Sequence, residues 1–475
     1  MVRKFFLFLC CAAVLSACTG ARVPDDTLSA QDSGTRDRTT TSLASDGSTP
    51  TTGVLGGDPF AGGGNTVPTL PGGAPAPATP GASTTRSTLF TAAENTIGIT
   101  KDQITICAHA ALTYAAAFNT SADDLNVYWS AINEKGGIFG RKIVVSYEND
   151  NYSPDTAVEA ATACKEKKPF LLLGGIGFDQ IPAVRNWAET NHVLYVHHTA
   201  TVEGRDRQRY SFTSLPSTEK MGEMFAEVMA SRFKGKTVGI IKRNSPNWEP
   251  GVKAFKVLAK KYGIKIVAER DVQNNQGSYT QELLDMQSAN ADVVWLWENA
   301  LASTQIVRQA NAQSFNPRFL LFPFNLTSQT LNQGALDPPL VGVSMHTAYS
   351  NGDRSGPFAP YASDIDEFES QYAKYRPGTN LRGFGGDLLF LNWSGQKGLA
   401  FLLAACGQDC TRNKLVDILT STKATRPIPS SCDVDFTRPG FARRGGFQVN
   451  VMETYRSPRN DVNWRNTNSC VEHLL

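Results

Sequence analysis

Few residues of this chain stand in an arrangement that supports catalysis. His197 and His198 follow a predicted strand, and imidazoles there could hold a metal ion or act as a general base. Adjacent residues of a strand point to opposite faces of the sheet, so the two rings cannot easily serve one site. The run Gly174-Gly175-Ile176-Gly177 lacks the spacing and the lysine of a P-loop, and no glycine elbow of a serine hydrolase is found. The sequence therefore predicts a protein that is not an enzyme and needs no cofactor or metal.

The cysteines predict an exported protein with disulfides. Of nine cysteines, Cys10 and Cys11 fall in an apolar leader and Cys18 directly follows it. The others are even in number, which suggests three disulfides in an exported chain, although six cysteines allow fifteen pairings. A zinc site in the Cys-x-x-x-Cys segment is the weaker interpretation, because no second close Cys or His pair flanks it. The pairs that we expect are Cys406–Cys410, Cys432–Cys470 and Cys107–Cys164.

Residues 1–17 have the features of a lipoprotein signal peptide. Arg3 and Lys4 precede an apolar run that is shorter than the ~20 residues needed to span a bilayer. Leu15-Ser16-Ala17-Cys18 then resembles the bacterial lipobox, in which cleavage before the cysteine leaves its sulfur free for acylation. The alternative is an ordinary signal peptide that is cut after Ala17. We expect Cys18 to be lipidated, and the mature protein to be extracytoplasmic and anchored to the bacterial cell membrane.

Residues 18–91 have the composition of a disordered linker. Thr, Ser, Gly, Pro, Ala and Asp dominate, and Phe60 and Phe90 are the only aromatic residues. Such a segment cannot bury enough apolar surface to offset the entropy lost on ordering. A flexible coil of about 73 residues has an end-to-end distance on the order of 45–50 Å. The linker is therefore expected to be a spacer between the membrane and a folded domain.

The remaining ~380 residues exceed the size at which a single core usually keeps growing, so two lobes are expected. The formal net charge is +2, from 46 basic and 44 acidic residues, and no long basic run occurs. The sequence thus lacks the electrostatic pattern of a nucleic-acid-binding protein. We expect a monomer.

Apolar strand segments alternate with amphipathic helix segments over this part of the chain. This alternation predicts an α/β fold with parallel sheets covered on both faces. The expected strands are 104–107, 141–148, 170–173, 193–196, 237–241, 264–268, 293–297 and 319–322. The expected helices begin near Thr120 or Ser121 and at Ser153-Pro154, and then cover 180–189, 219–232, 249–262, 279–288 and 301–312.

Three segments resemble the branched-chain amino-acid-binding proteins, the class I periplasmic binding family of ABC transporters. They are Gly98–Ile106, Ala131–Lys142 with its Asn-x-x-Gly-Gly-Ile and Gly-Arg turn, and Glu148–Pro154. The resemblance implies two doubly wound lobes joined by a three-strand hinge, with a ligand cleft between them. Lobe 1 would comprise residues 97–213 and 350–408. Lobe 2 would comprise 214–346 and 425–475, with tail strands in 432–436 and 447–451.

The resemblance also implies ligand-contacting loops at the carboxyl ends of the strands. In lobe 1 the matching residues are Thr113, Tyr114, Phe178, Asp179, His198, Thr199, Ala200 and Thr201. In lobe 2 they are Trp248, Glu298, Asn299 and Asn325.

These residues would have different roles. In amino-acid-binding relatives, the loop matching Ala200-Thr201 offers a carbonyl to the ligand ammonium and a hydroxyl to its carboxylate; a capping role is the alternative for Thr201. Trp248 matches an aromatic residue that closes over the ligand. Glu298 is either a partner for a cationic group or a solvated acid at a strand end.

One position departs from the pattern of the amino-acid binders. Where those proteins have serine-rich sequence that hydrogen-bonds the ligand carboxylate, this chain has Gly177-Phe178-Asp179. A ligand carboxylate would be poorly partnered there, at a cost of ~1–3 kcal/mol for each unpaired buried group. Phe178, Trp248 and Tyr114 favour a flatter or less polar solute.

The resemblance thus implies a substrate-binding component of an ABC importer that captures a small solute, either an amino acid, an amide or a less polar aromatic metabolite. Its partners would be the membrane permease subunits. A ligand-sensing or regulatory lipoprotein on the same fold is the first alternative, because fold does not fix function. An enzyme and a structural role in the cell envelope are the others.

Overall fold

The computed structural model describes the chain from residue 87 onward, with gaps. The described residues are 87–113, 121–197, 208–213, 217–274, 276–321, 339–344, 349, 352–354, 361–382, 384–421, 423–424, 434–435, 449–456 and 462–475. The predicted signal peptide, the lipidated cysteine and nearly all of the predicted linker lie outside them. No helix in these segments is long and apolar enough to cross a membrane.

The first sheet has five parallel strands in the order β2-β1-β3-β4-β5. It forms the centre of the first lobe. Its strands are β1 (Gln103–Ala110), β2 (Lys142–Asn149), β3 (Leu171–Leu173), β4 (Tyr195–His197) and β5 (Ser211–Thr213).

The second sheet has seven strands in the order β14-β13-β10-β9-β8-β6-β7. The strands from β6 to β10 pair in parallel, whereas β10–β13 and β13–β14 pair antiparallel, so the sheet is mixed rather than wholly parallel. The short connection between β13 and β14 fits an antiparallel pair, because parallel strands need a longer crossover. The strands are β6 (Thr237–Arg243), β7 (Lys265–Val272), β8 (Val293–Trp297), β9 (Arg318–Leu321), β10 (Val341–Ser344), β13 (Val449–Arg456) and β14 (Val462–Val471).

One predicted tail strand does not join the second sheet. Residues 432–436 were expected there, but β12 (Val434–Asp435) pairs with β11 (Lys423–Ala424) in a separate two-stranded sheet. The other predicted tail segment, 447–451, overlaps β13 and does pair with β10. A strand of two residues is too short to show a periodicity that would indicate which sheet it joins.

Helices cover the faces of both sheets. In the first lobe they are α1 (Ala122–Leu125), α2 (Val127–Glu134), α3 (Pro154–Glu166), α4 (Gln180–Asn191), α9 (Ala362–Tyr375), α10 (Phe384–Cys406) and α11 (Arg412–Ser421). In the second lobe they are α5 (Thr218–Arg232), α6 (Glu249–Tyr262), α7 (Thr280–Ser288) and α8 (Ala300–Ala312). The exact bounds of the two lobes stay a prediction.

Residues just outside the predicted bounds of the first lobe pack in its core. Phe90 falls in the predicted linker but is 3% exposed, and it packs edge-on against Tyr210. Leu415 and Leu419 of α11 lie in the same core, beyond the predicted limit at residue 408. A single aromatic residue at the end of a polar segment gives no periodic signal, so the sequence alone does not reveal that it is buried.

The two predicted helix starts are confirmed, and the helices differ from prediction only in detail. The helix expected from Ser121 through Ile132 is interrupted at Asn126, and only its short first part has the capping box, formed by Ser121 and Asp124. Ser153 occupies the N-cap position of α3, but its hydroxyl makes no capping hydrogen bond. Pro154 stands at the first helical position, where its fixed φ favours the start of a helix.

The Asn-x-x-Gly-Gly-Ile motif stabilises the connection between α2 and β2. The Asn133 side chain both donates to the Ile143 carbonyl and accepts from the Ile143 N–H, each at 2.7 Å, so it ties α2 to β2. Gly137 has φ of +74°, and a Cβ there would lie 2.0 Å from the Arg141 carbonyl oxygen. The motif therefore sets the turn into β2 and does not contact the cleft.

Two of the three predicted disulfides are present among the described residues. Cys107–Cys164 joins β1 to α3, and Cys406–Cys410 closes the end of α10. Cys470 is also disulfide-bonded, and its predicted partner Cys432 lies outside the described residues.

Two glycines allow α5 and α6 to pack closely. A Cβ on Gly222 would lie 1.9 Å from the carbonyl oxygen of Gly251, and one on Gly251 would lie 2.4 Å from the Trp297 ring. Real Cβ atoms cannot approach so closely, so one of the helices would have to shift. This contact places Trp248, at the start of α6, beside the end of β8.

Gly222→Ala should therefore lower the free energy of unfolding by ~1–3 kcal/mol, because it overpacks a helix contact that cannot yield without backbone movement. Urea unfolding followed by circular dichroism measures the change. Gly277→Ala is the matched control, since a Cβ there meets no atom within 4 Å. Equal stability of the two variants would contradict this account of the packing.

Candidate functional site

The candidate site lies at the carboxyl ends of the strands of both sheets. In the first lobe, β1 ends near His109, β3 leads into the loop 174–179, and β4 ends at His197. In the second lobe, β6 ends at Arg243 and β8 leads into Glu298. Ligand crevices in open α/β sheets lie outside such strand ends.

A buried hydrogen-bonded chain fixes the floor of the site in the first lobe. His109 Nδ1 lies 2.8 Å from Asp150 Oδ2, and His109 Nε2 lies 2.8 Å from the Tyr195 hydroxyl oxygen. The Gly175 N–H donates to the same Nε2 at 3.3 Å. Because two donors face Nε2 and a carboxylate faces Nδ1, we assign the ring proton to Nδ1.

The environment keeps the Tyr195 hydroxyl protonated. Burial, and then the nearby Asp150 carboxylate, hold the pKa of Tyr195 well above its usual range. The hydroxyl therefore stays a donor to His109. These hydrogen bonds link β1, β4, the loop after β3 and the turn after β2. They therefore fix the positions of four neighbouring strands relative to one another.

Glycines in the loop after β3 allow close packing on this chain. A Cβ on Gly174 would lie 2.5 Å from the His197 Cβ, and one on Gly175 would lie 2.6 Å from the His109 carbonyl oxygen. Gly177 has φ of +122°, which L-residues rarely adopt. The backbone of this loop lies so close to the strand ends that side chains would not fit, which accounts for the glycine-rich run 174–177.

Asp179 connects the two lobes. Its Oδ1 accepts hydrogen bonds from the Ser245 hydroxyl at 2.6 Å and from the Asn247 amide at 2.9 Å. Arg243 Nη1 lies 3.9 Å from Asp179 Oδ2. The carboxylate that replaces the serine-rich stretch of the amino-acid binders is therefore bound by side chains of the opposite lobe.

Arg243 and Glu298 form a buried ion pair behind this contact. Arg243 Nε donates to Glu298 Oε2 at 2.6 Å, and Nη2 donates to Oε1. Burial disfavours the guanidinium charge, but the hydrogen bonds and charge of Glu298 raise the pKa of Arg243 above its usual value. Burial and then the Glu298 charge also raise the pKa of nearby Tyr279 to about 12.

This pair corrects one of the alternatives for Glu298. A solvated acid at the strand end was one of the two alternatives, but the Glu298 side chain has no exposed surface, and Arg243 is its cationic partner. The sequence pattern missed Arg243 because the apolar run of β6 ends at Ile241, whereas the strand continues for two further residues. A cation just past a buried strand, with an acid just past its neighbour, is the signal that could have identified the pair.

Aromatic side chains form a layer beside the polar contacts. The rings of Phe178 and Trp248 lie 4.4 Å apart between centroids, and Trp248 meets Trp297 edge-on at 5.7 Å. The Trp297 indole N–H donates to the Trp248 carbonyl at 2.7 Å. Phe178 and Trp248 belong to one continuous apolar cluster with side chains from both lobes.

The other predicted contact residues fall in three groups. Thr113 is exposed and accepts a hydrogen bond from the Asn149 amide at 2.7 Å. Asn299 caps α8 by accepting from the Ala302 N–H at 2.9 Å, so its amide oxygen has a structural role. Those that lie outside the described residues are Tyr114, His198, Thr199, Ala200, Thr201 and Asn325. Contact of any of these residues with a ligand stays a prediction.

The described residues contain no group of three or more His, Cys, Asp or Glu side chains that could hold a metal ion.

A family profile described as periplasmic binding protein matches residues 113–440. The chain belongs to the periplasmic binding protein family. Its two α/β lobes agree with the class I fold that the sequence motifs implied.

Individual relatives of this periplasmic binding protein are distant. A Leu/Ile/Val-binding protein of Rhizobium johnstonii is 26% identical over 168 residues, which cover 34% of this chain and 45% of the relative. The match thus spans less than half the length of that curated relative.

Two solved structures show the same fold at low identity. A solute-binding protein of Rhodopseudomonas palustris in complex with 3,4-dihydroxybenzoic acid has a TM-score of 0.62 and 16% identity, over 78% of this chain and 99% of that chain. The LivJ protein of Streptococcus pneumoniae in complex with isoleucine has a TM-score of 0.60 and 16% identity, over 77% and 99%.

Removing one member of the buried pair should strongly destabilise the second lobe. Glu298→Ala leaves the Arg243 guanidinium buried without its partner, so we expect a loss of ~3–5 kcal/mol in the free energy of unfolding. Replacing both residues, Arg243→Met with Glu298→Leu, should cost much less, because no buried charge remains. Chemical denaturation measures both changes.

Asp285→Ala is the control for this comparison. It breaks the Arg270–Asp285 ion pair at 2.6 Å, in which the Arg270 side chain is 47% exposed. Solvent screening should keep its cost small. A loss of similar size for Glu298→Ala and Asp285→Ala would contradict the role assigned to the buried pair.

Proposed function

We propose that this chain is the substrate-binding component of an ABC importer and captures a small solute by closure of its two lobes. The observation that carries the proposal is the Asp179 contact with Ser245 and Asn247, which joins facing strand ends across the cleft. Hinged closure around a ligand is a common use of two-lobe α/β proteins. The solute-loaded form would dock on membrane permease subunits, and the chain itself would perform no chemistry.

We further propose that the protein is an extracytoplasmic lipoprotein. The Leu-Ser-Ala-Cys sequence and the spacer after it support acylation of Cys18. A lipid anchor with a spacer on the order of 45–50 Å would keep the binding domain close to a membrane permease while leaving it free to rotate.

The polar and aromatic residues of the cleft suggest which solute groups it accepts. Asp179 and Glu298 carry two negative charges and Arg243 one positive charge, so these three residues have a net charge of −1. A ligand carboxylate next to Asp179 would be repelled, whereas a neutral or cationic polar group could take over its hydrogen bonds. Phe178 and Trp248 would contact an apolar or flat part of the solute, with few rotatable bonds to immobilise.

The two solved structures contain an amino acid in one case and an aromatic acid in the other. LivJ was solved with isoleucine and the R. palustris protein with 3,4-dihydroxybenzoic acid. For this chain we propose a small solute that is an amino acid, an amide or a less polar aromatic metabolite. Its carboxylate, if it has one, would lie away from Asp179.

Thermal unfolding of the full chain against a metabolite panel tests solute binding. The panel contains branched-chain and aromatic amino acids, amides, urea, polyamines and aromatic acids. A ligand at a hundred times its Kd adds ~2.7 kcal/mol of stability, which raises the unfolding midpoint by a few degrees. We expect a hit that is lost in Trp248→Ala and weakened in Trp248→Phe.

Val257→Ala is the control variant, because Val257 lies on the same helix as the tryptophan contact but is 69% exposed. It should keep the full response. Absence of any hit from well-folded protein, or a hit that survives Trp248→Ala unchanged, would count against capture in this cleft.

Asp179→Asn isolates the effect of the charge. The amide keeps the size of the side chain and can still bond Ser245, so closure should be largely retained. We expect the affinity for carboxylates such as L-isoleucine and 4-hydroxybenzoate to rise at least tenfold, about 1.4 kcal/mol. Calorimetric titration measures it. Unchanged or weaker binding of carboxylates by Asp179→Asn would show that Asp179 does not select against them.

A further inference from the structure

A basic cavity lies at the opposite edge of the second sheet from the cleft. It has a volume of about 480 Å³, and its charged lining residues are Arg232, Lys234, Lys236, Arg318 and Asp292. These residues stand at the end of α5 and at the amino ends of β6, β8 and β9. The cleft residues stand at the carboxyl ends of the same strands, and the seven residues of β6 alone separate the two edges by about 20 Å.

The cavity has an excess of positive charge. Four cationic side chains and one acid give a net charge of +3, compared with +2 for the whole chain. The one acid already has partners. The Asp292 carboxylate lies 3.2 Å from Lys236 Nζ and accepts a hydrogen bond from the Thr237 N–H at 2.9 Å. Burial slightly opposes its ionisation, but the Thr237 backbone bond lowers the pKa of Asp292, so it stays charged.

The other three cations lack carboxylate partners. In the part of the chain that the structure describes, no acid lies within ion-pair distance of Arg232, Lys234 or Arg318. Arg232 is half-buried and donates only to the neutral side chains of Thr467 and Asn468. Burial lowers the pKa of Arg232 from its usual value, and the charge of Glu453, which is itself paired with Arg465, only partly offsets this effect.

Like charges brought together in this way repel one another, and an anion between them removes the repulsion. Two guanidinium groups can each bind a tetrahedral oxyanion through paired N–H donors, and a lysine adds a point charge. The volume lies in the ordinary range for small-molecule sites, so a phosphate group with a small substituent can enter.

We propose that this basic cavity is a second binding site, separate from the cleft, that takes a phosphate-type anion. Arg232, Lys234 and Arg318 bind its oxygens. The phosphate has two possible sources, a free phosphate ester or inorganic phosphate in solution, and the headgroup of an anionic phospholipid. Binding to a phospholipid headgroup would orient the second lobe against a membrane surface.

The test uses the full chain and the double variant Lys234→Gln/Arg318→Gln. The matched control is Lys142→Gln/Lys253→Gln, which removes the same charge from two exposed lysines on β2 and α6, away from the cavity. Thermal unfolding checks that all three proteins are folded. Calorimetry with inorganic phosphate at constant ionic strength is the first arm, and co-sedimentation with vesicles is the second.

The vesicles contain either phosphatidylglycerol with phosphatidylcholine or phosphatidylcholine alone. A membrane anchor on the chain contributes equally to both, so the difference between the two lipid mixtures reports the headgroup. Phosphate binding by parent and control that weakens at least tenfold in the double variant supports a site for free phosphate compounds. Preference for phosphatidylglycerol that is lost only in the double variant supports the headgroup.

Two results would overturn the proposal. One is the absence of both phosphate binding and lipid preference in the parent. The other is an equal loss in the double variant and the control, which would indicate net charge rather than a site. The response of the cleft to a solute should be the same in all three proteins, so failure of this proposal is distinguishable from failure of solute capture.

Discussion

The hydrogen bonds that Asp179 accepts from Ser245 and Asn247 join two separately built sheets, and the rest of the candidate site is arranged around them. Parallel strands deliver their following loops to one edge, so each lobe can present only its carboxyl-end loops to the other. The buried chain Asp150–His109–Tyr195 fixes the loop that carries Asp179, through the Gly175 N–H. The cross-lobe contact thus depends on polar groups that are themselves held by the strand ends.

The buried charges of the second lobe that lie next to the cleft are paired. Glu298 neutralises Arg243, which leaves the guanidinium close to Asp179 without an excess of positive charge at the contact. Phe178 and Trp248 are nearly fully buried beside these groups, and the lower local dielectric of apolar surroundings strengthens polar contacts. The same arrangement explains why a ligand carboxylate is a poor match for this position, although the fold is shared with proteins that bind one.

The sequence predicted the elements well and the side-chain contacts poorly. The bounds of β8 and α6 agree with prediction because a continuous apolar run and a strongly amphipathic segment are clear signals. The Arg243–Glu298 pair was missed because it joins residues 55 positions apart, and only the charges that follow the apolar runs of two neighbouring strands indicate it. The burial of Phe90 and the pairing of β12 were missed because a single residue and a two-residue strand have no periodicity.

The most direct test of the account is the distance between the lobes in the parent protein and in Asp179→Ala. Spin labels on noncanonical amino acids at Val144 and Val257, both exposed and one on each lobe, leave the disulfide cysteines intact. The account predicts a dominant short-distance population in the parent and a shift to longer, broader distances in the variant. The same distance distribution in both proteins would contradict the claim that Asp179 holds the cleft closed.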